Sequence, residues 1–156
     1  MTKPTVPDIH RLRPGELSLF NGMLDVFARA FEEPETYSNA RPAPGYVNEL
    51  LGREDFVALV AKAGDGVVGA VTAYELQKYE QARREIYIYD LAVAETHRRR
   101  GYATALIEGV KAIARDRDAY VVIIQAERGD EPAATLYTKL GIREEVLHFD
   151  IDPGGP

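Results

Sequence analysis

The segment "REIYIYDLAV" sets one carboxylate, Asp90, inside an otherwise apolar, strand-like run, and shortly after it "HRRRGYA" places Arg98, Arg99 and Arg100 directly before Gly101. Burying an unpaired carboxylate costs several kcal/mol, so Asp90 must be hydrogen-bonded, sit at a distortion of the strand, or open onto a cleft. Its chemistry suits an amine. With the lysine pKa of ~10.4 as a guide, freeing an amine for attack at pH 7 costs about 4.6 kcal/mol, and something must take the proton. A carboxylate that is partly desolvated, or that works through a water, can accept it; otherwise Asp90 holds the ammonium while solvent takes the proton.

The arginines raise a different question, because three like charges side by side repel one another. The chain as a whole is acidic, with 19 Lys and Arg against 25 Asp and Glu. A solvated basic patch is the plain reading of such a tripeptide taken by itself. Arginines at a helix start, however, oppose the helix dipole by about 0.3–1 kcal/mol each. An anion would repay that. The first N–H groups of a helix have no internal acceptors, Gly101 and Ala103 leave room for a phosphate at the main chain, and the guanidinium groups add charge from the rim. The arrangement suits a diphosphate.

Composition limits the scaffold that must hold these groups. At 156 residues and 46% apolar content, the chain fits one domain, residues 1–156, that buries about two-thirds of its unfolded surface. It contains no cysteine, which excludes disulfides, thiolate catalysis and cysteine-based zinc sites. His10, His97 and His148 show no ligand spacing, so no metal is expected. No signal-like apolar stretch opens the chain and no segment reaches membrane-spanning length, so a cytoplasmic protein is expected. The net charge of −6 disfavours nucleic acid and anionic membranes and favours a cationic substrate.

Periodicity then places the elements. Residues 8–13 read as a short strand, and Phe20, Met23, Leu24, Phe27, Ala30 and Phe31 fall at helical spacing in a segment stopped by Pro34. "PETYSNARPAPGY" reads as a loop and "YVNELLG" as a short helix. "DFVALVAKA" and "VVGAVTAYELQKY", joined by "GDG", predict a hairpin, followed by the strand that carries Asp90. A helix from about Arg100 to Asp116, the strand "AYVVIIQA", a helix starting near Pro132 and a last strand, "EEVLHFDI", complete the chain. Strand, helix and strand over residues 86–125 form a crossover, so that pair should be parallel in a mixed α/β sheet.

"HRRRGYA" resembles the R/Q-x-x-G-x-G/A signature of the GNAT superfamily of N-acetyltransferases, with Arg98, Gly101 and Ala103 at the defining positions after a strand ending "LAV". "AATLYTKLGI" is similar to the family's A-x-x-L-Y-x-K-x-G-F, with Leu136, Tyr137, Lys139 and Gly141 in place. "EIYIYDLAV" and "YTKLGIREEVLHFDIDP" resemble the gentamicin-type aminoglycoside 3-N-acetyltransferases over about residues 11–153. Glu95, Ile142 and Asp130 or Glu131 depart from common family residues and leave the phosphate turn intact.

The resemblance implies a GNAT fold: a mixed, mostly antiparallel twisted sheet of six to seven strands with about four helices, and a locally parallel, splayed strand pair that binds acyl-CoA. It implies direct transfer from acetyl-CoA to an amine without an acyl-enzyme. On that basis the backbone of Leu91 and Val93 would bind the pantetheine, and the turn of Arg98, Arg99, Arg100, Gly101, Tyr102, Ala103 and Thr104 would hold the pyrophosphate. Asp90 would serve the amine, and Tyr137 would give a proton or hydrogen bond to the departing sulfur while also packing with Ala133 and Leu140. Glu85, Glu127, Asp150 and Asp152 are expected on an acidic rim for a polycation, with Tyr37 offering a ring face. The expected activity is acetylation of the 3-amino group of aminoglycosides such as gentamicin, conferring resistance, by a homodimer. Acetylation of a polyamine or another small amine, and a non-catalytic acyl-CoA-binding module, are the alternatives.

Overall fold

The structure is a computed structural model that describes residues 6–64 and 66–155. Residues 1–5, Asp65 at the centre of the "GDG" turn, and Pro156 lie outside the described residues. The chain divides into two compact units, one up to Ile124 and one from Gln125 onward.

The first unit runs β1 (Asp8–Arg11), α1 (Leu17–Phe31), α2 (Pro34–Tyr37), α3 (Pro44–Leu51), β2 (Phe56–Ala63), β3 (Gly66–Gln77), β4 (Arg84–Val93), a single 3₁₀ turn (Glu95–His97), α4 (Tyr102–Asp116) and β5 (Ala119–Ile124). The strands lie in the order β1-β2-β3-β4-β5. Neighbours are antiparallel except β4 and β5, which are parallel because α4 carries the chain across between them. Apolar residues alternate on β2, so Phe56, Ala58 and Val60 pack under α1 and α3 while Val57, Leu59 and Ala61 pack under α4. A helical layer therefore covers each face.

Phe20, Met23, Val26 and Phe27 form the buried stripe of α1. That helix ends at Glu32, which takes a left-handed conformation at φ 54°. Pro34 does not merely stop α1. It opens α2, because at a first helical position its missing N–H needs no partner. Pro44 does the same for α3, which starts two residues before the expected "YVNELLG". The stretch read as loop thus contains a helical turn, and the described residues hold five α-helices rather than about four.

The second unit contains α5 (Glu131–Leu140), capped by the Asp130 side chain, which accepts from the Ala133 N–H at 3.3 Å. The expected last strand is not formed. Residues 144–151 have strand composition but find no ladder among the described residues, and Val146, Leu147, Phe149 and Ile151 are exposed. Strand preference reflects fit to a half-buried pleated surface rather than an intrinsic backbone preference, so composition alone does not make this segment a strand. Among the described residues the sheet accordingly has five strands, not six to seven. Among the described residues no helix is long and apolar enough to cross a membrane.

Candidate active site

β3 and β4 pair regularly from Gln77 opposite Arg84 to Ala73 opposite Ile88, and then the register shifts so that Thr72 faces Asp90. Tyr89 is the extra residue of a β-bulge. In an undistorted strand Asp90 would follow Ile86 and Ile88 into the apolar core under α4. The bulge sends Leu91 and Val93 there instead. Asp90 is turned to the opposite face, beside α2. Of the three settings the sequence allows for this carboxylate, distortion and hydrogen bonding are both present.

Tyr37 donates its hydroxyl to Asp90 Oδ2 at 3.0 Å. The donor is seated by rings: Phe27 and Phe31 stack at 5.6 Å, and each lies 5.7 Å from the Tyr37 ring. Left-handed Glu32 and helix-opening Pro34 bend the chain back so that α2 meets the end of α1 and brings this ring cluster together. Burial holds the Asp90 carboxyl above its ordinary range, the Tyr37 bond acts in the other direction, and the charge of Glu33 adds to the rise. Burial and then the Asp90 charge push the Tyr37 phenol up, so it stays a proton donor at neutral pH. A partly desolvated carboxylate with one oxygen fixed is suited to holding an ammonium group or taking its proton.

The parallel ladder between β4 and β5 runs from Arg84 opposite Ala119 to Ile88 opposite Ile124 and stops where the bulge begins. Beyond it, the edge of β4 that carries Leu91 and Val93 has no strand beside it among the described residues. An extended chain bearing amide groups would continue the sheet there. Past this edge comes the arginine turn. Arg98 Nε donates to the Val93 carbonyl at 3.2 Å, Arg99 has φ 61°, and Gly101 has φ 83°. Gly101 is the N-cap of α4, and no side chain caps that helix. Its first internal bond is from the Ala105 N–H to the Gly101 carbonyl, leaving the N–H groups of Tyr102, Ala103 and Thr104 directed outward. A Cβ at Gly101 would meet no protein atom within 4 Å. Free main-chain donors, open space and three exposed guanidinium groups form a donor set that fits a diphosphate.

The structure brings Tyr37 to Asp90 and uses Glu85 elsewhere. Glu85 is buried, accepts from the Tyr120 hydroxyl at 3.0 Å and lies 3.6 Å from Lys78, so its charge is engaged inside the fold. The remaining expected residues belong to the second unit. Tyr137 lies on α5, where burial and then Asp130 push its phenol up to about 12, leaving it protonated at neutral pH. Glu127 is exposed. Asp150 accepts from His148 at 2.9 Å, and Asp152 accepts from the Gly154 N–H at 2.8 Å. No strand joins these two aspartates, so the period-2 argument for a shared face does not apply.

Sequence reasoning passed over Glu33 and the aromatic residues Tyr74, Tyr87 and Tyr89 around Asp90, together with Tyr46 near Tyr74. Their signal was present: Tyr87 and Tyr89 alternate on the strand that carries Asp90. Among the described residues no group of three or more side chains is placed to hold a metal ion.

Residues 20–142 match the acetyltransferase (GNAT) family. The fold is similar to that of the aminoglycoside acetyltransferase HMB0005 from an uncultured soil metagenomic sample, at 51% identity and a TM-score of 0.93, covering 96% of this chain and 100% of that one. It is also similar to the aminoglycoside acetyltransferase meta-AAC0020 from an uncultured soil metagenomic sample, solved in complex with sisomicin, at 27% identity and a TM-score of 0.86, covering 95% and 97% of the two chains. N-acetyltransferase 8B of Rattus norvegicus is 32% identical over 90 residues, 58% of this chain and 40% of the rat protein. The chain therefore spans less than half the length of that relative.

Proposed function

The chain belongs to the acetyltransferase (GNAT) family, and from that premise we propose that it transfers the acetyl group of acetyl-CoA to the 3-amino group of an aminoglycoside such as gentamicin, inactivating the antibiotic. The observation that carries this reading is the bulge that turns Asp90 out of the α4 core and onto the Tyr37 hydroxyl. The similarity to two aminoglycoside acetyltransferases, one of them holding sisomicin, supports the substrate class.

When bound, acetyl-CoA supplies a thioester whose carbonyl carbon an amine can attack. The chain's own residues do the rest. The N–H groups of Tyr102, Ala103 and Thr104, with Arg98, Arg99 and Arg100, grip the diphosphate. The open edge at Leu91 and Val93 would hold the pantetheine by pairing with its amide groups. Asp90 holds the incoming ammonium and accepts its proton, directly or through a water, while Tyr37 fixes the carboxylate and Glu33 adds attraction for a cation. Tyr137 is the proton donor that the family resemblance assigns to the departing sulfur. A homodimer in the cytoplasm belongs to the same reading, with the exposed apolar segment around Phe149 as surface for a second copy.

The test is acetyl transfer to gentamicin, followed by CoA thiol release, with the acetylated position read by NMR of the product. The native protein is expected to modify the 3-amino group, and Asp90→Ala to lose at least about tenfold in rate. Equal rates would remove Asp90 from the mechanism. Transfer to polyamines but to no aminoglycoside would replace the substrate.

A further inference from the structure

We propose that Tyr74 and Tyr89, with Tyr46 of α3 near them, form an acceptor subsite in which the apolar face of a sugar or aminocyclitol ring rests while its amine reaches Asp90. This rests on the function proposed above and names the groups that select a ring-bearing acceptor.

Large aromatic side chains are bared here together: Tyr74 is 41% exposed, Tyr89 64% and Tyr46 65%, whereas Phe56 beneath Tyr74 is 5% exposed. A lone exposed tyrosine is ordinary, but a contiguous apolar patch marks a contact surface. The rings are fixed by one another. Phe56 and Tyr74 lie 5.3 Å apart, and Tyr89 stands across both Tyr74 (5.9 Å, 86°) and Tyr87 (6.1 Å, 80°). The result is a corner with a floor and a wall.

Register explains why they share a face. Phe56 pairs with Tyr74 across β2 and β3, and Tyr74 with Tyr87 across β3 and β4. Tyr89 follows Tyr87 by two residues, on the same side. The bulge then adds Asp90 to that side instead of sending it away. One backbone distortion thus makes the reactive carboxylate and the aromatic corner contiguous. Burial first, and the Asp90 charge among the lesser causes, hold the phenols of Tyr74 and Tyr87 above their ordinary range, as this proximity requires.

Size and charge decide the occupant. The groove along these rings has a volume of about 530 Å³, within the range of small-molecule sites. Its lining carboxylates are already held: Asp55 by Arg53 through two bonds of 2.8 Å, and Glu75 by Arg117 at 2.7 and 2.8 Å. Asp90, which follows Tyr89 onto the same face but does not itself line the groove, makes no ion pair among the described residues, and Glu33 adds negative charge near it. A linear polycation would need several separate carboxylates along its length, which this lining does not offer. A ring with an amine on one edge places its C–H face on the tyrosines and its charge on Asp90, and neighbouring ammonium groups gain from the ring faces.

The experiment compares native protein, Tyr89→Leu, Tyr74→Leu and Tyr89→Phe, measuring kcat and KM for gentamicin together with KM for acetyl-CoA. Both leucine variants are expected to raise the gentamicin KM by about tenfold, the scale of one ring contact, with the acetyl-CoA KM held as the control for folding. Tyr89→Phe, which keeps the ring, is expected to stay within about twofold. A native enzyme that acetylates gentamicin while both leucine variants keep the native KM overturns the subsite and leaves the function standing. Loss in Tyr89→Phe equal to that in Tyr89→Leu overturns the stacking role. A native protein that acetylates no aminoglycoside overturns the proposed function, and the subsite with it.

Discussion

The phenol oxygen of Tyr37 lies 3.0 Å from Asp90 Oδ2, a bond that ties the helical layer over one face of the sheet to the bulge in β4. The two residues are 53 positions apart in the chain. Each depends on the other's element: the bulge aims the carboxylate, and the Phe27 and Phe31 rings aim the phenol that donates to it.

That bond sets a pH dependence with a definite sign. Asp90 serves an amine only when ionised, so activity falls as pH drops through its pKa. Burial has raised that pKa, and the Tyr37 hydrogen bond opposes the rise. In Tyr37→Phe the opposition is gone and the carboxylate protonates more readily. The acid limb of the kcat/KM profile should therefore move to higher pH, with a loss of about tenfold at neutral pH. An acid limb that stays in place or moves to lower pH would falsify the assignment of Tyr37 as the positioning partner.

The same burial makes Asp90 a cost to the fold. Its pKa is higher in the native chain than in an unfolded one, so the native state binds the proton more tightly. The stability this provides is complete below the unfolded carboxylate pKa and is lost as pH rises through the raised native value. Asp90→Asn keeps the shape and an acceptor for Tyr37 but carries no charge. We expect its Tm to exceed that of the native protein by a few degrees at pH 7, with the gap closing in acid, while acetyl transfer falls by at least about tenfold. Calorimetric melts at several pH values check this, and a variant less stable than native protein at pH 7 would contradict it.

Much of this arrangement is legible in the chain itself. β4 spans Arg84–Val93, as the expected strand does, because its apolar pattern is unbroken on either side of Asp90. The parallel β4 and β5 pair follows from strand, helix and strand in succession. Other features belong to pairs of elements and leave no local mark. The bulge at Tyr89 exists only in the register between β3 and β4, so Asp90 stands out as an anomaly without showing the way it turns. Tyr37, expected to offer a ring face to the substrate, meets Asp90 because Pro34 opens a helix where proline is more readily read as a stop. For residues 144–151 the opposite holds: composition favours a strand that the described residues give no partner.

The diphosphate turn can be tested apart from catalysis. Gly101 has φ 83°, a conformation that a side chain makes unfavourable by about 1–2 kcal/mol, yet a Cβ there would touch no protein atom within 4 Å. In Gly101→Ala the damage to folding should therefore stop at the backbone term, a fall of a few degrees in Tm. The ligand should feel more. The added methyl projects into the open space over the uncapped N-terminus of α4, and relaxation of φ turns the Tyr102 and Ala103 N–H groups away from a bound anion. We expect CoA affinity, measured by titration calorimetry, to fall about tenfold or more, while the native affinity weakens as salt screens Arg98, Arg99 and Arg100. Native affinity in Gly101→Ala, or CoA binding indifferent to salt in the native protein, would place the diphosphate somewhere other than this turn.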